Sequence, residues 1–116
     1  MTPRVVAQAH TKSYADPLVV RVHDIVSLGD RDDEWPGWIW CVDKAARGGW
    51  LPEDIVELTG EAGRIREAFD TTELTVDVAE AVHGGRIVAG WQWCRHADGR
   101  EGWVPVRCLR GQRKVS

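Results

Sequence analysis

The chain holds one tyrosine, one phenylalanine and one methionine, and its cysteines number three. Cys41, Cys94 and Cys108 cannot all pair within one chain, and none stands in CxxC spacing, so neither a disulfide framework nor a zinc site is suggested. No apolar run approaches the roughly 18 residues of a membrane span. The opening Met1-Thr2-Pro3-Arg4-Val5-Val6-Ala7-Gln8 lacks the long apolar centre of a signal peptide, so a cytoplasmic protein without a membrane partner is expected. Excess positive charge is missing too: the formal net charge is -3, which disfavours nucleic acid as a partner. Hydrophobic residues make up 43% and charged residues 28%, values of a chain that folds.

Against this background stand seven tryptophans, and their spacing is informative. Trp38-Ile39-Trp40-Cys41 precedes Gly49-Trp50-Leu51-Pro52, and Trp91-Gln92-Trp93-Cys94 precedes Gly102-Trp103-Val104-Pro105, with one offset (91 − 38 = 103 − 50 = 53). Seven positions are identical between the two windows, so the chain contains two copies of one unit. Upstream, Leu18 to Val26 aligns with Leu74 to Val82, and Val6-Ala7-Gln8-Ala9 resembles Ile65-Arg66-Glu67-Ala68. A boundary follows near Thr59 to Gly63, giving copy one over residues 1–59 and copy two over 60–116.

Leu18, Val20 and Val22, like Leu74, Val76 and Val78, alternate with neighbours at the period of a half-buried strand. The Trp-x-Trp segments read as strands, joined to the Gly-Trp strands through turns at 45–48 and 97–100, and His83-Gly84-Gly85 reads as a turn between strands. A helix could begin at Glu61, but the repeat places a strand there. Four or five short strands in about 50 residues must curl into a small barrel. Parity sets Trp38 and Trp40 on the face opposite Ile39 and Cys41; a small cysteine suits the interior and leaves the indoles partly exposed, although Gln92 beside Cys94 argues the other way.

These residues resemble the SH3 domain family in its bacterial variant form. The resemblance rests on Ala68-Phe69-Asp70, Glu73-Leu74-Thr75-Val76, Trp91 and Gly102-Trp103-Val104-Pro105, and in copy one on Pro17-Leu18-Val19-Val20, Asp32-Asp33-Glu34, Trp38 and Gly49-Trp50-Leu51-Pro52. It implies an all-β fold of two tandem small SH3-like β-barrels, each of about five short strands. It also implies a groove for an extended peptide, formed by Trp38 and Pro52 in copy one and by Trp91 and Pro105 in copy two, with Trp50 and Trp103 nearby. The opening aromatic is Phe69 in copy two and His10 in copy one, while Ile55 and Cys108 stand where the family has tyrosine.

Each indole has two readings, a contact surface or packing within and between the copies. The run Asp30, Asp32, Asp33 and Glu34 is either a selector for a basic peptide or a solvated loop, and Trp35 beside it has no partner in copy two. Cys94, His96, Cys108 and His83 lack ligand spacing, so no metal is expected. No nucleophile triad, paired-carboxylate cleft or phosphate-cradling loop is present, so neither catalysis nor a cofactor is expected. The expectation is a non-catalytic module that holds a peptide or partner protein. The alternatives are an accessory domain of an enzyme, or a component of a nucleic-acid complex using Arg107, Arg110, Arg113 and Lys114. The oligomeric state is left open.

Overall fold

The computed structural model describes residues 1–111. Arg113 and Lys114 of the basic tail lie outside the described residues. The chain is all-β, and its only helical pieces among those residues are two single 3-10 turns. In chain order the strands are β1 (Thr2–Val6), β2 (Val19–Val20), β3 (Ile25–Arg31), β4 (Trp38–Val42) and β5 (Gly48–Pro52). After a 3-10 turn at Glu53–Ile55 come β6 (Val56–Thr59), β7 (Ala62–Ile65), β8 (Phe69–Asp70), β9 (Ala81–Val88), β10 (Trp91–His96) and β11 (Glu101–Pro105). A second 3-10 turn, Val106–Cys108, leads into β12 (Leu109–Gly111).

Two compact units result, and they do not follow the two sequence copies. Unit 1 joins Met1–Ala15 to the segment from Thr72 onward; unit 2 is Asp16–Thr71. Unit 1 carries a five-stranded sheet of order β11-β10-β9-β1-β12. Unit 2 carries the sheet β5-β4-β3-β7-β6 and the small pair β2-β8. The two large sheets are register-equivalent. Trp38 faces Pro52 and Trp40 faces Trp50, as Trp91 faces Pro105 and Trp93 faces Trp103. Val56 faces Ile65 as Leu109 faces Val6, and Val26 faces Gly63 as Val82 faces Arg4. Thus β1 and β7 hold the same interior place, fourth of five strands, and each sits in the sheet whose other four strands come from the opposite sequence copy.

The boundary read at residues 59 and 60 therefore falls inside unit 2, at the turn of the β6–β7 hairpin, where Gly60 takes φ 70°. Phe69 pairs with Val20 and His10 pairs with Val76, equivalent antiparallel bridges closed with exchanged partners.

Two more sequence expectations change. The alternating strands of Leu18 to Val26 and Leu74 to Val82 are broken by turns closed by Asp24 N–H to Arg21 C=O and Glu80 N–H to Asp77 C=O. Val22 and Val78, expected inside, occupy these turns and are 46% and 61% exposed. His83-Gly84-Gly85 is no turn but the middle of β9. The segment at Glu61 forms strand β7, as the repeat requires.

The interior follows strand parity. Ile39, Cys41 and Leu51 are buried in unit 2; Cys94, Val104, Val82 and Val6 are buried in unit 1. Burial of some twenty apolar side chains, each contributing on the order of 1.5–3 kcal/mol, is the main driving force. Gln92, where the repeat has Ile39, is also buried; its amide donates to Gly85 C=O while its Oε1 has no partner.

Candidate functional site

The Trp-x-Trp strands place their indoles on the face opposite Cys41 and Cys94. In both units the inner pair of indoles meets edge to face across the hairpin: Trp40 and Trp50 at 5.1 Å, Trp93 and Trp103 at 5.4 Å. Gly48 is required beside the first pair, since a Cβ there would meet Trp40 Cζ2 at 2.2 Å. With interplanar angles of 71° and 78°, these pairs brace the two hairpins with interlocked rings. Trp40, Trp50 and Trp93 are half-buried, whereas Trp103 is buried.

The outer indole of each strand has a different fate in the two units. In unit 2, Trp38 is 5% exposed, and its edge-to-face neighbour Phe69, at 6.0 Å, is 6% exposed. Pro52, paired with Trp38 across the ladder, is buried as well. In unit 1, Trp91 is half-buried, faces buried Pro105, and has the ring of His10 against it at 5.4 Å and an interplanar angle of 79°. Sequence grouped Phe69 with Trp91; strand exchange instead brings Phe69 to Trp38 and His10 to Trp91.

Around His10 lies a polar network for which the repeat gave no signal. Its Nε2 is 2.9 Å from Glu73 Oε1, and Ser13 Oγ donates to the same oxygen at 3.1 Å. Glu73 is tied to β11 by an isolated parallel β-bridge to Trp103, in which Trp103 N–H donates to Thr72 C=O and Leu74 N–H donates to Trp103 C=O. The position equivalent to Glu73 in the other copy is Pro17, so no comparison of the copies could reveal the pair. Unit 1 thus has an ionisable, half-open aromatic surface where unit 2 has an apolar, closed one.

The acidic loop is partly committed to its own structure. Asp32 Oδ1 accepts the N–H groups of Glu34 and Trp35, an Asx-type turn that fixes the loop. Asp33 and Glu34 are exposed, and Trp35 is half-buried. Nearby, Arg31 pairs with Glu53.

The three thiols are free and buried. Burial pushes Cys41 and Cys94 up to about 11 and raises Cys108, so they are protonated and poor nucleophiles at neutral pH. Among the described residues no group of three or more His, Cys, Asp or Glu is placed to hold a metal, and no helix is long and apolar enough to cross a membrane. Comparison with protein-family models, curated proteins and solved structures finds no match to this chain.

Proposed function

We propose that the chain is a non-catalytic binding module of two SH3-like β-barrels, and that an extended peptide or partner protein docks on unit 1 around Trp91. The reading of the fold is supported by the repeated strand order, the Gly-Trp-x-Pro strand, and the 3-10 turn that follows Pro52 and Pro105. The binding surface rests on one observation: Trp91 is half-open beside His10 and Glu73, while its counterpart Trp38 is closed under Phe69. An indole face gains roughly 0.5–2 kcal/mol per ring or cation contact, so one such surface gives weak, adaptable binding.

The test is titration of the full chain with Pro-rich and basic peptides while the indole N–H resonances are followed. Trp91 is expected to shift and Trp38 to stay put, and Trp91→Ala to abolish the response without unfolding the chain. Silence of Trp91 at saturating peptide across the library would sink the reading.

A further inference from the structure

We propose that a second copy of this chain is a partner, taken up by exchange of the β1 arm: β1 of one molecule occupies the slot between β9 and β12 of the other. The slots in the two large sheets are selective. In unit 2 the central residue must be glycine, because a Cβ on Gly63 would meet Val56 Cγ1 at 2.5 Å and Leu28 Cδ2 at 2.8 Å. At the same place β1 carries Arg4, so β1 cannot enter the slot between β3 and β6. In unit 1 the position equivalent to Leu28 is Gly84, whose missing side chain leaves room for Arg4 opposite Val82, although Arg4 Nε is buried there without a hydrogen-bond partner. Side chains thus direct β1 to the β9–β12 slot and leave the β3–β6 slot to β7.

That selection does not distinguish a slot in the same molecule from one in another. β1 is the only strand of unit 1 separated from the rest by the whole of unit 2, and residues 11–16 after it are exposed and carry no strand. Moving this arm leaves unit 2 whole. Reciprocal transfer closes a two-fold dimer with every ladder bond of the monomer retained. The same arm delivers His10, so in the dimer each Trp91 faces the partner's His10. A tethered arm competes at an effective concentration of roughly millimolar, so dilute chains close on themselves and concentrated ones exchange.

Val5 and Ala81 are paired across the β1–β9 ladder, and directly opposed strand residues lie within disulfide reach. Full-length Val5→Cys and full-length Ala81→Cys, unfolded together and refolded under mild oxidant, should yield a cross-linked species of twice 13.0 kDa. Its yield should rise at least about tenfold between ~10 μM and ~1 mM, above controls in which each variant is refolded with the unmodified chain. The unmodified chain refolded at ~1 mM should show a dimeric mass by light scattering. A monomeric mass at every concentration, or a dimer in which these two cysteines do not join, overturns the proposal. The result does not depend on ligand binding at Trp91, so the two readings fail separately.

Discussion

Ala79 stands at φ 71° and His23 at φ 77°, the same turn position in the two units. A side chain in the left-handed region costs roughly 1–2 kcal/mol, and glycine avoids that cost while giving back about 0.5–1 kcal/mol through the greater freedom of its unfolded chain. Ala79 N–H donates to Val6 C=O at 2.8 Å, and glycine keeps this bond. Ala79→Gly should therefore stabilise the chain by about 0.5 kcal/mol, a gain of roughly 2–4 °C in Tm. Calorimetry showing a lower Tm would mean that the turn is not strained. Sequence could not expose these positions. His23 and Ala79 carry none of the glycine or asparagine signal that marks a positive φ, and Val22 and Val78 continue the strand alternation through the turn.

At the scale of elements, the Asp77–Glu80 turn is anchored to the β10–β11 hairpin by charge. Glu80 is held below the usual carboxylate range first by the Asp77 N–H and then by His96, whose Nε2 lies 2.6 Å from Glu80 Oε2. Asp98 is lowered likewise by the backbone and side chain of Arg100. A depressed folded pKa adds stability above the unfolded value of about 4.3 for Glu, and that stability disappears as pH falls through the folded value. The Glu80 side chain is half-buried and Asp98 is exposed, so solvent screens both and the contribution is modest. Glu80→Gln should lower the urea midpoint slightly at pH 7 and should lose less of it on acidification from pH 5 to pH 3 than the native chain. Parallel midpoint-against-pH curves for the two would show that the anchor carries no charge. The hairpins themselves were legible because the Trp-x-Trp and Gly-Trp strands pair locally and repeat without a gap. The His10–Glu73 pair was not, since its members are distant in sequence and Glu73 matches a proline in the other copy.

At the scale of the whole molecule, sequence similarity identified the copies but not the pairing of their opening strands. Alignment of Val6 with Ile65 correctly marks equivalent positions, yet equivalence is silent about which sheet each strand joins. Gly63 and Arg4 carry that information, and it becomes readable only when Leu28 and Gly84 are seen against them. The consequence is that residues 1–59 and 60–116 are not independent beads. The first piece has β3 to β6 without β7, and the second has β9 to β12 without β1. Each lacks an interior strand of its sheet, which leaves two rows of backbone groups unpaired and the core uncovered at Val6 or Ile65. The two pieces made separately should show no cooperative thermal transition. Mixed in equal amounts, they should assemble one to one by exchanging β1 and β7 and recover the near-ultraviolet signal of the tryptophan pairs. Two pieces that melt cooperatively on their own, with no change on mixing, would show that each copy closes on its own opening strand.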